Sequence, residues 1–335
     1  MSAENNDQRL AALRAWVHGQ TGWDDPGQPV SSDASFRRYF RFSDDAGQQL
    51  VAMDAPPPGE DCRPFVAIDR LLADAGLHVP RIVAEDLARG FLLLSDLGAR
   101  TYLEVFKARP DDTALPDALF ADAIGALLQL QQINPPPGFP VYDEALLRRE
   151  LALFPDWYLR RELRREPDAD WLAAYEQLSR ELIASALGQG QVLVHRDFMP
   201  RNLMQSEPNP GLLDFQDAVW GPIAYDPVCL FKDAFISWPE ARVQGWLQDY
   251  WQAARARGLP VPASFAEFRR DCDRIGVHRH LKVIGIFARI AHRDGKPRYL
   301  ADAPRFFSYL QGVRERYPEW TSLARVLAPL LHEPA

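Results

Sequence analysis

The chain has 335 residues, which is long enough for roughly two domains of ~100–200 residues. Because 47% of the residues are hydrophobic, each domain can have its own core. A formal net charge of −8 and a pI of about 5.4 argue against a polyanion-binding surface, so we expect neither a nucleic acid nor an anionic membrane as a partner. The N-terminus lacks a basic segment followed by an apolar core, and no apolar run approaches the ~18 residues of a membrane span, which predicts a cytoplasmic protein.

Residues 1–98 show the hydrophobic spacing of a small sheet with helices packed on it. A stretch rich in Gly, Pro and Asp at 22–29 is expected to end the first helix. A turn at 44–47 is expected to join two strands of a hairpin. In chain order, the predicted elements are helix 8–19, strands 35–42 and 49–54, helix 64–77, and strands 81–86 and 90–96.

From about Thr101 onward the pattern changes to helices, with one predicted strand pair embedded at 191–215. The sequence therefore predicts an α+β fold of two lobes, with a small N-terminal sheet lobe at 1–98 and a larger, mainly helical C-terminal lobe at 99–335. The predicted helices of the second lobe cover 116–132, 143–164, 168–188, 239–257, 264–293 and 302–331.

The most informative segment is V-L-V-H-R-D-F-M-P-R-N at 192–202, where Asp197 and Asn202 lie five residues apart after an apolar strand. A second apolar strand, at 211–213, ends in the carboxylate of Asp214. This order and spacing are typical of the catalytic loop and metal-binding segment of a phosphotransferase that uses ATP. Ordinary polar turns after buried strands could produce either motif alone, but here both spacings and both preceding strands match together.

The expected chemistry gives each of these side chains a role. Phosphoryl transfer requires a protein to orient a hydroxyl, hold magnesium against the phosphates and neutralise developing charge. Asp197 is expected to orient the acceptor hydroxyl, and His195 to brace the loop by hydrogen bonding. Asn202 and Asp214 are expected to bind Mg²⁺, which needs few protein oxygens because phosphate and water fill its remaining positions.

Several segments carry a family resemblance over nearly the whole chain. The catalytic loop, L-L-D-F-Q-D-A at 212–218 and A-Y-D-P-V-C-L at 224–230 resemble the aminoglycoside phosphotransferase and choline kinase superfamily. S-S-D-A-S-F-R-R-Y-F-R at 31–41 and L-F-P-D-W-Y-L at 153–159 are similar to one bacterial branch, the anomeric kinases for N-acetylmuramate and N-acetylglucosamine. The resemblance implies a bilobal protein-kinase-like fold with ATP between the lobes. It also implies phosphorylation of the sugar C1 hydroxyl in peptidoglycan recycling, with a separate nucleotidyltransferase using the product.

The chain departs from this family where a lysine on the third strand usually holds the ATP phosphates, because the strand reads L-V-A-M-D at 50–54. One interpretation is that Arg37, Arg38 or Arg41 replaces the lysine, since a guanidinium can grip phosphate with two hydrogen bonds. The other is that backbone N–H groups of the loop 31–35, which includes Ser35, hold the phosphates together with magnesium. By analogy with the family, adenine is expected to contact the segment that contains Leu94 and Asp96.

A sugar site needs carboxylates or amides for hydroxyl groups and an aromatic face for the ring. Asp217 and Trp220 follow the predicted metal ligand and are candidates for the acceptor pocket. The candidate partners for a substrate carboxylate are Arg201, Arg289 and Arg293. Glu150 is a further candidate substrate residue beside the family-like segment at 153–159. Asp226 is expected to anchor the catalytic loop or a helix start.

Two other functions compete with an amino-sugar kinase. The first is a kinase for another small alcohol, such as an aminoglycoside, choline or homoserine. The second is a regulatory ATP-binding module, which the missing lysine suggests and the complete set of Asp197, Asn202 and Asp214 opposes. Cys62, Cys229 and Cys272 are odd in number and far apart, so we expect reduced, mostly buried thiols.

Overall fold

The computed structural model describes residues 3–31 and 37–331, including the side chains of 8–30 and 37–331. The helices are α1 (Ala3–Thr21), α2 (Arg63–Asp74), α3 (Tyr102–Ala108), α4 (Leu115–Gln131), α5 (Glu144–Leu151), α6 (Ala169–Gly188), α7 (Tyr225–Phe231), α8 (Glu240–Ala256), α9 (Phe265–Asp294), α10 (Ala303–Arg316) and α11 (Thr321–Leu327). The strands are β1 (Gln28–Ser31), β2 (Arg38–Ser43), β3 (Gln49–Asp54), β4 (Ile82–Asp86), β5 (Phe91–Ser95), β6 (Gln191–Val194), β7 (Leu203–Met204), β8 (Gly211–Leu212) and β9 (Val219–Pro222).

The described residues form two compact units. The first comprises the chain up to Val105 together with Asn202–Asp217, and the second comprises Phe106–Arg201 and the chain from Ala218 onward. A small sheet therefore precedes a mainly helical part, as the sequence predicts. The proposed lobe boundary between residues 98 and 99 stays a prediction.

The five-stranded sheet of the first unit has the order β1-β2-β3-β5-β4, and all its pairs are antiparallel. The strands β2 and β3 form the predicted hairpin. Its turn is stabilised by the carboxylate of Asp44, which accepts the backbone N–H of Gln48 at 2.7 Å. Gly47 has a φ of 83°, which glycine adopts without a steric cost. The hairpin register places Arg38 directly opposite Asp54.

The helix α1 supplies apolar side chains to the core of this sheet. Because side chains alternate along a strand, Leu50, Ala52 and Asp54 of β3 point to the same face. The first two are buried with residues of α1, and Asp54 accepts a hydrogen bond from Arg9 Nε of α1 at 3.0 Å. The core cluster consists of Leu13, Trp16, Val17, Phe40, Phe42, Leu50, Ala52, Phe91 and Leu93.

The segment Asn202–Asp217 completes the first unit, although it lies far along the chain. Its strands β7 and β8 pair with each other, and the N–H of Leu212 donates to the carbonyl of His78 at 2.8 Å. The ring of Phe215 lies 4.9 Å from the ring of Phe65 on α2. Here the predicted strand pair at 191–215 was wrong in its pairing, because β6 pairs with β9 and not with β8.

The second unit is built around the 30-residue helix α9, which contacts α6, α7 and α10. Its first turn has a capping box: Ser264 Oγ accepts the N–H of Glu267, and the Glu267 carboxylate accepts from Ser264. The helix ends at Asp294 and is followed by Gly295, whose φ of 65° is the left-handed conformation that commonly stops a helix.

The predicted helix 143–164 is two elements, because a π-helical segment, Phe154–Glu162, follows α5. Pro155 has no N–H for the carbonyl of Leu151, and the hydroxyl of Tyr175 donates to that carbonyl instead, at 2.7 Å. Helix α9 approaches closely here, since a Cβ at Gly285 would lie 2.4 Å from the Leu153 carbonyl carbon.

Other differences from the predicted elements have local causes. The predicted helix 302–331 divides into α10 and α11 at a turn containing Pro318, which cannot continue a helix. The strand β1 forms partly within the stretch 22–29 that we expected to be only a break. The helices α3 and α7 and the strand β9 were not predicted. No helix among the described residues combines the length and apolar character that crossing a membrane requires.

Candidate active site

The strand β6 leads directly into the loop that carries His195 and Asp197. His195 is fully buried, with its ring edge-on to Phe198 at 5.7 Å between ring centres. The backbone N–H of Asp197 donates to His195 Nδ1 at 3.3 Å. This is the contact that a bracing role for His195 requires.

The loop backbone is held by Asp226 of α7. Its two carboxylate oxygens accept the N–H groups of His195 at 2.7 Å and of Arg196 at 3.0 Å. Burial raises the pKa of Asp226 to about 7, while these two N–H groups and Arg279 act in the opposite direction. Arg196 has a φ of 73°, a strained value for a residue with a Cβ, so it needs such anchors. Asp226 therefore anchors the loop, as expected from the sequence.

The predicted metal ligands Asn202 and Asp214 lie together in the first unit. Asn202 Nδ2 donates to one Asp214 carboxylate oxygen at 3.4 Å, and Gln216 Nε2 donates to the other at 2.8 Å. The N–H of Leu213 donates to the carbonyl of Asn202 at 3.0 Å, which ties the two segments together. Asp214 has a φ of 65°.

This donor set fits magnesium. Rotation of the Asn202 amide would present its oxygen beside the exposed Asp214 carboxylate, and one amide plus one carboxylate suit an ion that keeps phosphate and water ligands. Among the described residues, no group of three or more His, Cys, Asp or Glu side chains could hold a metal. Asn202 and Asp214, the predicted ligands, are the pair that would hold the ion.

Of the three candidate arginines, Arg37 lies close enough to the predicted metal ligand Asp214 for that carboxylate to raise its pKa. Its Nε donates to Glu60 at 3.1 Å, and both side chains are mostly buried. Burial opposes the charge of Arg37, but Tyr39, Glu60, Asp214 and Asp217 outweigh it and raise its pKa. The guanidinium of Arg37 thus lies in the electrostatic field of both carboxylates that follow β8.

Arg38 and Arg41 form ion pairs with other carboxylates of the first unit. Arg38 and Arg9 both bind the fully buried carboxylate of Asp54. Arg41 pairs with Asp96 and donates to the carbonyl of Gly98 at 2.9 Å. The roles predicted for Arg38, Arg41 and Asp96 at the nucleotide are not tested by these contacts and stay predictions.

The remaining nucleotide candidates are Leu94 and Ser35. Leu94 is buried on β5, opposite Val51 of β3. Ser35 lies outside the described residues.

The candidate sugar residues fall in both units. Asp217 is exposed and close enough to Arg37 to affect its pKa. Trp220 lies on β9 opposite Leu193. The guanidinium carbon of Arg201 lies 4.9 Å from the centre of the Phe235 ring. Glu150 is 5% exposed, and its carboxylate binds Tyr142, Arg196 and Lys282.

The structure thus gathers Arg37, Asn202, Asp214 and Asp217 in one unit, and Glu150, His195, Asp197 and Arg201 in the other. Sequence reasoning missed Glu60 and Lys282, which hold candidate site residues in place. Lys282 is far from the motifs in sequence and gives no local signal.

Comparisons with known proteins agree with this geometry. A family model described as "Phosphotransferase enzyme family" matches residues 26–268. The chain belongs to this phosphotransferase family.

Curated relatives match the phosphotransferase over nearly its whole length. A Pseudomonas putida protein is 58% identical, with 97% of each chain covered, and a Neisseria meningitidis protein is 43% identical, with 97% of this chain and 96% of that protein covered. Both are named N-acetylmuramate/N-acetylglucosamine kinase.

Solved structures show the same protein-kinase-like fold. The ADP-bound aminoglycoside phosphotransferase APH(2'')-Ib has a TM-score of 0.60 at 16% identity, with 88% of this chain and 97% of that chain covered. Choline kinase from Cryptosporidium parvum Iowa II has a TM-score of 0.61 at 12% identity, with 98% and 100% covered. These structures show the α+β fold that the sequence predicts. The family model and the named kinases show an enzyme that transfers a phosphoryl group to an alcohol.

Arg37→Ala in this phosphotransferase should raise the KM for ATP and lower kcat together, because the lost cation would contact phosphate in both the ground and transition states. The loss of one charge-assisted hydrogen bond, which contributes about 1.5–3 kcal/mol, should lower kcat/KM roughly 10- to 100-fold. Arg37→Lys should restore only part of the activity, since a point charge cannot reproduce a planar two-pronged contact. Steady-state kinetics with varied ATP measure this.

Arg38→Ala and Arg41→Ala are the matched comparisons. Each removes a cation from a largely buried carboxylate, so each should lower the melting temperature while the KM for ATP stays close to the wild-type value. Wild-type ATP kinetics in all three variants would instead assign the phosphates to loop backbone and magnesium.

Proposed function

We propose that this enzyme transfers the γ-phosphoryl group of ATP to the anomeric C1 hydroxyl of N-acetylmuramate and N-acetylglucosamine. The observation that carries the proposal is full-length similarity, at up to 58% identity, to kinases named for these two sugars. The position of the phosphate on C1 rests on the resemblance of the segments at 31–41 and 153–159 to the anomeric branch.

Asp197 would act on the acceptor hydroxyl. The anomeric hydroxyl is more acidic than the other hydroxyl groups of a sugar, so a carboxylate can remove or share its proton more readily as the bond to phosphorus forms. The anchoring of the loop by Asp226 supports this role, because a general base must keep a defined direction.

Asn202 and Asp214 would hold magnesium, and Arg37 would grip the phosphates beside it. When bound, magnesium neutralises charge on the β and γ phosphates. The contact between Asn202 and Asp214 supports their shared role, and the electrostatic coupling of Arg37 to Asp214 supports a position near the phosphates. Asp217 and Trp220 would then contribute to the sugar site, with Arg201 for the lactyl carboxylate of N-acetylmuramate.

The biological role that we propose is peptidoglycan recycling in the cytoplasm, where ATP is available. A sugar 1-phosphate is the acceptor that a nucleotidyltransferase needs to make a nucleotide sugar. The product would therefore pass to a separate enzyme of that class.

Phosphorus NMR of the product made from N-acetylmuramate tests the proposal. In a C1 phosphate the phosphorus signal shows coupling to the anomeric proton. The phosphate is also released by mild acid, and the sugar has no free reducing end. A C6 phosphate resists mild acid and keeps the reducing end. Finding the C6 ester would overturn the anomeric assignment while leaving a sugar kinase.

An acceptor panel read by coupled ADP release tests the substrate class. The panel contains the two amino sugars, glucose, choline, homoserine and an aminoglycoside. We expect turnover with the amino sugars to exceed that with every other acceptor. Preferred turnover of choline, homoserine or the aminoglycoside would contradict the proposed function.

A further inference from the structure

A buried ion cluster lies behind the catalytic loop in the second unit. Glu150 of α5 is at its centre, and Lys282 Nζ of α9 lies 2.8 Å from Glu150 Oε1. The guanidinium of Arg196, in the loop itself, pairs with the same carboxylate oxygen. The hydroxyl of Tyr142 donates to the other oxygen, and Lys282 Nζ donates to the hydroxyl of Tyr225 at 3.0 Å.

The charges of this cluster depend on one another. Burial disfavours the Glu150 carboxylate, but Lys282 and Arg196 outweigh that effect and lower the pKa of Glu150 to about 2. Burial likewise disfavours the ammonium of Lys282, but the negative charge of Glu150 outweighs the effect of burial and raises the pKa of Lys282. Removing the carboxylate would therefore leave two buried cations facing each other, which is strongly destabilising.

Arg196 connects this cluster to the chemistry. It precedes Asp197 directly, and its φ of 73° is a left-handed conformation that is unfavourable for a residue with a Cβ. Asp226 holds its backbone N–H at 3.0 Å, and Glu150 holds its side chain. Because both the backbone and the side chain of Arg196 are held, the direction of the Asp197 side chain is restricted.

We propose that Glu150 and Lys282 are positioning residues, which hold the guanidinium of Arg196 and thereby direct Asp197 toward the acceptor hydroxyl. This proposal rests on the proposed role of Asp197, and it replaces the substrate contact expected of Glu150 from sequence. Glu150 has protein partners on both oxygens, so its function lies in the geometry of the loop.

The test compares four variants: Lys282→Met, Lys282→Arg, Glu150→Gln and the double variant Glu150→Gln/Lys282→Met. Lys282→Met should lower kcat about tenfold and the double variant about 100-fold, the scale of a misplaced catalytic group, with little change in either KM. Lys282→Arg keeps the charge and should recover part of kcat. Lys232→Met is the matched control, because Lys232 is also a buried lysine, at 3.7 Å from Asp273, and lies outside the cluster.

Stability separates positioning from a merely structural role. Glu150→Gln should have the lowest melting temperature, and the double variant should recover much of it because only one buried cation remains. If the cluster positions the loop, kcat should stay low in the double variant despite that recovery. A kcat that recovers together with the melting temperature, or a Lys282→Met enzyme with wild-type kcat, would overturn the proposal.

Hydrogen exchange provides a readout that does not depend on the acceptor. Peptides covering 195–198 should exchange faster in Lys282→Met and in the double variant than in wild type or Lys232→Met. If wild-type enzyme turned over none of the sugars and exchange still changed in this way, the proposed function would fail while the positioning contact stood. Unchanged exchange in both variants would contradict the positioning role itself.

Discussion

Asp197→Asn should lower turnover by ~10²–10⁴, the range expected for losing a general base, while ATP affinity stays close to the wild-type value. Asparagine keeps the size and planarity of the side chain but cannot accept the proton of the sugar hydroxyl. The loop should remain folded, because its anchors are the Asp226 carboxylate and the His195 ring, which this substitution leaves in place. Coupled ADP release measures kcat, and titration with a fluorescent ATP analogue measures binding.

The matched control for Asp197→Asn is Asp249→Asn, which makes the same chemical change at an exposed position on α8. Its kcat should equal that of wild type. If Asp197→Asn kept turnover within a small factor of wild type, Asp197 would not be the base. A large loss of ATP affinity would instead indicate a role in holding the nucleotide.

Asp214→Ala should abolish activity at every magnesium concentration that can be reached, whereas Asn202→Ala should be partly rescued by excess magnesium. A carboxylate supplies charge and a strong oxygen ligand, while an amide supplies one weaker contact, so mass action can compensate only for the second loss. The two side chains contact each other at 3.4 Å, so the comparison distinguishes the roles of two neighbouring predicted ligands. The measurement is kcat as a function of free magnesium.

Gln216→Ala is the control for this pair. Gln216 donates to Asp214 at 2.8 Å, so its loss disturbs the orientation of the carboxylate without removing a ligand. We expect a small decrease in kcat with the magnesium dependence of wild type. Equal and unrescuable losses in Asp214→Ala and Asn202→Ala would show that the two residues share a single role.

Local patterns were sufficient to predict much of the fold. The strand β3 has the predicted bounds of 49–54, because its alternation and the following Pro-rich turn are contained in the segment itself. The hairpin register could also be predicted from the sequence, because the turn at 44–47 places Arg38 opposite Asp54. Opposite charges directly across two strands favour an ion pair. This charge pair is a local signal that distinguishes Arg38 from Arg37.

Contacts between distant segments could not be predicted in this way. The strands β6 and β8 both have apolar sequences, but β6 pairs with β9 and β8 pairs with β7. Strand pairing depends on the path of the chain between the strands, which a local pattern does not show. Arg9 and Arg38 share Asp54, although Arg9 lies 45 residues from it. The role of Glu150 depends on Lys282, which comes from another helix, so the sequence alone suggested a substrate contact where the structure has an internal ion cluster.

The discontinuous first unit has a consequence for synthesis on the ribosome. Its sheet is complete once Ser95 has emerged, but its last piece, Asn202–Asp217, follows an intervening stretch of about 100 residues. Until then the carbonyl of His78 lacks the N–H of Leu212, and the ring of Phe65 lacks that of Phe215. A nascent chain that stalls before residue 202 would therefore expose an apolar face on α2. The same chain would also lack both predicted metal ligands, so the first unit cannot be complete before residues 106–201 of the second unit have been synthesised.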